Sequence, residues 1–182
     1  AQFPPAFEIP SFKNIGYWFK PNVILCLQLL KNHIMQIEEE SIRNFVFVAF
    51  SETIRLVSNR RNGEFKMFRM PPEKVDAFSP SVISEFSKIL SRNIEKMDAF
   101  VAACSTVNSK SSVMIYRNNA TNLHDVSNDT FDLIITSPPY GDSRTTVAYG
   151  EYSRLSLQWL GLDHLTEKEI MGIDRTLMGG EK

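Results

Sequence analysis

The sequence predicts an α/β chain: a helical N-terminal segment followed by a strand–turn–strand unit belonging to an open, largely parallel sheet. Three observations predict it. Apolar residues recur at three- and four-residue steps through much of residues 22–103. Val113-Met114-Ile115-Tyr116 and Leu133-Ile134-Ile135 form short continuous apolar runs, the second typical of a central strand covered on both faces. That second run leads straight into Ser137-Pro138-Pro139-Tyr140. In an open α/β sheet, ligands bind outside the carboxyl ends of the strands, where such a loop would sit.

Residues 1–21 interleave Pro4, Pro5, Pro10 and Pro21 with six aromatic residues. Prolines at that density oppose regular helix while the rings demand burial, so an extended, packed segment is expected. Val23, Leu27, Leu30, Ile34 and Ile37 then mark a helix over 22–40, with His33 on its side as a surface residue. Ser41 is a candidate N-cap for a second, nearly all-apolar helix over 42–57. Residues 71–78 read as a proline-containing linker. Ser79-Pro80 is a helix start, and Val82, Phe86, Ile89, Leu90, Ile94, Met97 and Val101 give a long packing stripe to about Ala103. After the two strands comes a polar loop over 141–150, and then a helix from about Glu151 to Leu160 closed by Gly161. Thr166-Glu167-Lys168-Glu169 is a capping box for a last short helix.

Composition narrows the class. Net charge is −1, so no global basic field advertises a polyanionic partner. Cations concentrate locally: Arg55, Arg60, Arg61, Lys66 and Arg69 face only Glu64, around an Asn62-Gly63 turn. Such a cluster suits contact with backbone phosphates, which positions a protein without reading sequence, and it equally suits a solvated loop. Cys26 and Cys104 lie far apart in no metal-ligand spacing and read as reduced, buried thiols of an intracellular protein. No stretch approaches the ~18 apolar residues of a bilayer span, so no membrane partner is expected. The chain does not begin with Met and reads as a part of a longer polypeptide.

The loop carries a resemblance. Thr136-Ser137-Pro138-Pro139-Tyr140 resembles the catalytic motif of the amino-group DNA methyltransferases, and its serine is most similar to the cytosine-N4 branch. The frame from Val113 to Trp159 resembles the same family. The resemblance implies part of a Rossmann-like class I methyltransferase sheet. It also implies transfer of a methyl group from S-adenosylmethionine to an exocyclic base amine, in bacterial or archaeal cytoplasm, often within a restriction–modification system. The implied partners are double-stranded DNA with a flipped target base and the remainder of the same polypeptide. Ser137, Pro138, Pro139 and Tyr140 fall on the catalytic positions, and Asn119 where the family contacts the cofactor's adenosine end. Arg144, in the following loop, is a candidate for target-strand contact beside the five upstream cations.

Residues 1–104 are thus expected to form a mainly helical segment for DNA contact or an insertion, and residues 105–182 the catalytic α/β part. The family's Phe-x-Gly-x-Gly turn for the methyl donor is absent from the sequence and is expected elsewhere in the polypeptide, upstream by preference. Methylation of adenine N6, RNA or a protein glutamine are alternatives of the same chemistry. A non-catalytic helical DNA-binding or interaction module is the alternative of another class.

Overall fold

The computed structural model describes residues 9–64, 66–106, 111–116, 126–127, 130–136, 149–161 and 168–169. Among these residues six helices appear in chain order: α1 (Ile15–Trp18), α2 (Pro21–Met35), α3 (Glu40–Val57), α4 (Pro72–Ala77), α5 (Val82–Ser105) and α6 (Tyr149–Leu160). The packing is helix on helix, with α3 in the middle, against α2, α5 and α6.

Helix α2 opens on Pro21, whose missing N–H is no loss in a first turn. It buries Val23, Leu27, Leu30 and Ile34 along one face. The acidic run that follows lies in the connection to α3: Glu39 is the N-cap residue of α3 and Glu40 occupies its first turn, where negative charge is favourable. Ser41 therefore sits inside the helix, and its hydroxyl donates to the Glu39 carboxylate rather than capping. Arg43 turns back from α3 and donates to the Ile37 carbonyl at 2.8 Å, holding the two helices at their hinge. Helix α3 buries Ala49, Phe50, Thr53, Ile54 and Val57. The Thr53 hydroxyl is satisfied in this core by the Ala49 carbonyl one turn back, at 2.8 Å.

Two short helices lie where the sequence points to irregular chain. Helix α1 is a single turn between Pro10 and Pro21, and it delivers fully buried Phe19 to the core. Helix α4 starts on Pro72 at its first position, so the proline that reads as a linker signal is a helix opener. Helix α5 is capped by Ser81, whose side chain accepts from the Ser84 N–H at 3.3 Å. The start is two residues beyond Ser79-Pro80. Only its first half packs: Val82, Phe86 and Ile89 are buried, while Ile94, Met97, Phe100 and Val101 are exposed. Cys104 is exposed as well, and both thiols are free.

Helix α6 closes the core with Trp159. Its fully buried ring meets Phe12, Phe19 and Phe50 edge-on, with centroids 6.5, 5.7 and 6.5 Å away. The Ser156 hydroxyl donates to the Ser51 carbonyl of α3 at 2.9 Å, and Gly161 ends the helix at φ +66° as its sequence position predicts.

The expected α/β architecture is overturned. Among the described residues there is no strand and no sheet, only an isolated antiparallel bridge between Arg60 and Arg69. The two apolar runs are not buried: Ile115 is 92% and Ile135 87% exposed. The physical reason is that a continuous apolar run marks a segment suited to burial but supplies nothing to bury it. A central parallel strand needs a neighbour on each side for its backbone and helices on both faces. The described neighbours of these runs supply neither, and the helices pack on one another instead. No helix among the described residues is long and apolar enough to cross a membrane.

Candidate functional site

The chain leaves α3 through Ser58, Asn59 and Arg60, all buried, and turns back at Asn62-Gly63. Gly63 takes φ +97°, a conformation that L side chains rarely adopt, with open space around its Cα. The returning segment pairs with the outgoing one: Arg61 N–H donates to the Phe68 carbonyl and Met70 N–H to the Asn59 carbonyl, each at 2.8 Å. Asn59 anchors this hairpin-like turn to α1. Its backbone N–H donates to the Trp18 carbonyl at 2.7 Å and its side-chain amide to the Tyr17 carbonyl at 3.2 Å. From the far end of the chain, the Glu151 carboxylate accepts the Met67 N–H at 3.1 Å.

This turn sorts the five clustered cations by what each one touches. Arg55, in the last turn of α3, and Arg60 both lie over the ring of Tyr152 in α6, with guanidinium carbons 4.3 and 5.0 Å from its centroid. Arg60 is only 2% exposed and donates through Nη2 to the Glu64 carbonyl at 2.6 Å, while its Nε–H is buried with no acceptor. Arg69 is engaged with Tyr17 instead, donating to its carbonyl at 3.0 Å and stacking 4.4 Å over its ring. Arg61 reaches the Glu64 carboxylate at 3.6 Å, a solvent-exposed pair of little energetic weight. Lys66 is exposed.

Arg55, Leu56, Arg60, Asn62, Gly63, Glu64 and Tyr152 enclose an open concavity of about 280 Å³. Burial pushes the Arg60 guanidinium below its ordinary pKa, and the neighbouring charge of Arg55 adds to the shift, against the opposing effect of Glu64. Burial lowers Arg55 likewise, with Glu52 opposing. Both remain cations, since guanidinium titrates far above neutrality. They are cations held where water solvates them poorly, which raises the value of an anion placed beside them.

The sequence pointed to this cluster through local charge and the Asn-Gly turn. It gave no sign of Tyr152, about ninety residues away, nor that Tyr17 would claim Arg69. No short-range spacing encodes those contacts; only the docking of α6 and α1 creates them. Ser137, Pro138, Pro139, Tyr140, Asn119 and Arg144 lie outside the described residues. No group of His, Cys, Asp and Glu that could hold a metal ion occurs among the described residues.

Comparison with known proteins adds a relative. The chain is 43% identical over 176 residues to the Type II methyltransferase M.MvaI of Kocuria varians. The match spans 96% of this chain and 39% of the relative's length. No family model and no solved structure matches the chain. This chain is therefore a homologue, over nearly all of its own length, of a segment of a Type II methyltransferase.

Proposed function

We propose that the chain is part of a DNA methyltransferase that transfers a methyl group from S-adenosylmethionine to an exocyclic base amine, cytosine N4 in the first instance. The observation that carries this reading is the 43% identity to a Type II methyltransferase across 96% of the chain. Residues 1–104 would then be the helical DNA-contact part and residues 105–182 the part that carries the chemistry.

An exocyclic amine is a poor nucleophile because its lone pair is delocalised into the ring. Acceptors that bind its N–H groups favour rehybridisation toward sp³, and their hydrogen bonds strengthen as positive charge grows on nitrogen. The Ser137 hydroxyl and the Ser137–Pro138 backbone carbonyls are assigned this role. Pro138 and Pro139 fix φ and remove two backbone donors, so the acceptors are preorganised. Tyr140 stacks on a base taken out of the duplex and offsets part of the few kcal/mol of flipping. Arg55, Arg60, Arg61, Lys66, Arg69 and Arg144 are the proposed contacts to double-stranded DNA.

The methyl donor fits no described part of the chain. Gly63 and Gly161 serve a turn and a helix end, while Gly16 and Gly150 lie inside helices. None opens a glycine-rich turn of the kind that cradles a nucleotide. Asn119 is the one residue proposed to touch the donor, at its adenosine end.

The test is made in the complete polypeptide. Pro138→Ala and Tyr140→Ala are expected to abolish methyl incorporation into DNA while leaving the thermal unfolding transition in place. Mass analysis of nucleosides from DNA treated with the unmodified enzyme is expected to find N4-methylcytosine. Normal turnover in both variants would sink the catalytic assignment, and N6-methyladenine would move the target base.

A further inference from the structure

We propose that Arg55, Arg60 and Tyr152 build a pocket for a single phosphate group, and that the phosphate it takes is one of the DNA backbone. The source of the phosphate rests on the DNA-methyltransferase reading; the chemistry of the pocket does not.

Four observations converge. First, two guanidinium groups from different elements are held over one tyrosine ring, at 4.3 and 5.0 Å. Stacking fixes a guanidinium plane while its N–H edges stay available, which is the arrangement that recognises phosphate oxygens. Second, among the described residues the nearby carboxylates each have another partner, and the charges of Glu52 and Glu64 offset those of Arg55 and Arg60 only in part. Glu52 is held by Arg92 through both oxygens, Glu151 accepts the Met67 N–H, and Glu64 reaches Arg61 while its carbonyl takes Arg60.

Third, Arg60 lines the cavity, is 2% exposed, and keeps a buried Nε–H without an acceptor. Buried donors on charged groups are costly to leave unmade, so Arg60 carries an unmet donor that an anion brought against it could satisfy. Fourth, the cavity of about 280 Å³ falls just below the ~300–1,000 Å³ of pockets that enclose drug-sized ligands. It is open to solvent and has room for a phosphate with its water, so a phosphate on the outside of a duplex can reach it. Desolvation of both arginines works in the same direction, because an anion relieves it.

The chain is first titrated with inorganic phosphate at constant ionic strength while the arginine Nε–H resonances are followed. Arg60 Nε–H is expected to shift, and Arg55→Gln to weaken phosphate by about tenfold, the loss of one charge-assisted contact. Duplex binding is then measured against salt for the unmodified chain, Arg55→Gln, Arg55→Lys and Tyr152→Leu. Arg55→Gln should reduce the slope of log affinity against log salt by about 0.9, one phosphate contact. Arg55→Lys should keep most of the slope yet lose phosphate affinity, because charge survives but the stacked fork does not. Tyr152→Leu keeps both charges and should still weaken phosphate.

Phosphate that does not bind, or binds Arg55→Gln equally, overturns the pocket. Phosphate bound through Arg55 with an unchanged duplex slope overturns the DNA source in favour of a free or nucleotide phosphate. A chain that binds phosphate through Arg55 but no duplex at any salt sinks the DNA reading and leaves the pocket standing.

Discussion

Glu52 and Arg92 fasten α3 to α5 through two parallel contacts, Nη1 to Oε1 at 3.2 Å and Nη2 to Oε2 at 2.6 Å. The hydrogen bond from Arg92 holds the Glu52 carboxyl below its ordinary pKa; partial burial opposes this, and the charges of Arg92, Arg55 and Lys96 assist. A carboxyl with a depressed folded-state pKa contributes stability that is present above its unfolded value, ~4.3 for Glu, and lost as pH falls through the folded value. Arg92 stands in solvent, so the contribution is modest and screened by salt. Arg92→Gln should therefore lower the thermal midpoint slightly at pH 7 and leave it unchanged in acid, below the folded pKa of Glu52. An equal difference at both pH values would mean that the Arg92 stem, not its charge, is what α5 contributes here. The same carboxylate also lies close enough to Arg55 for its charge to oppose part of that arginine's desolvation.

At the scale of elements, the docking of α6 is the event on which the site depends, because it brings Tyr152 over Arg55 and Arg60. Trp159 is the anchor: it is fully buried and meets three phenylalanine rings. Trp159→Ala should cost about 3–5 kcal/mol in chemical denaturation, the usual range for emptying such a site, and Trp159→Phe clearly less. A loss within experimental error for Trp159→Ala would detach α6 from the core. Part of this architecture was legible beforehand. Val23, Leu27, Leu30 and Ile34 announce α2 by their spacing, and Gly161 marks the end of α6, because both signals are local. The same local logic misassigned Pro72, whose role depends on whether a helix follows it. It also misassigned Leu133-Ile134-Ile135, because a strand is defined by partners that its own residues do not supply. The stacking of Arg55 and Arg60 on Tyr152 was out of reach for that reason too: the residues meet only once α6 has docked on α3.

Over the whole molecule, burial is uneven, and the unevenness separates a helical description from a sheet-based one. The core takes residues from α2, α3, the first half of α5 and α6, while Ile94, Met97, Phe100 and Val101 continue α5 beyond it. Helices in water persist mainly where an apolar face is packed, so protection should follow the core rather than helix length. Hydrogen exchange on the isolated chain should find slow amides through residues 49–57 of α3 and 86–92 of α5, with faster exchange over 98–105. The decisive segments are 113–116 and 132–135, apolar in sequence yet exposed and without a strand ladder. Their amides should exchange close to the intrinsic rate, because nothing described accepts their hydrogen bonds or shields them from solvent. Protection there equal to that of α3 would mean that the two runs pair into a sheet, and the helix-on-helix account of the chain would fail at its centre. Fast exchange would instead leave Ser137 to Tyr140 preceded by an open segment. The rigidity required of the proposed catalytic turn would then have to come from its own prolines and from α6, the next described element docked on the core.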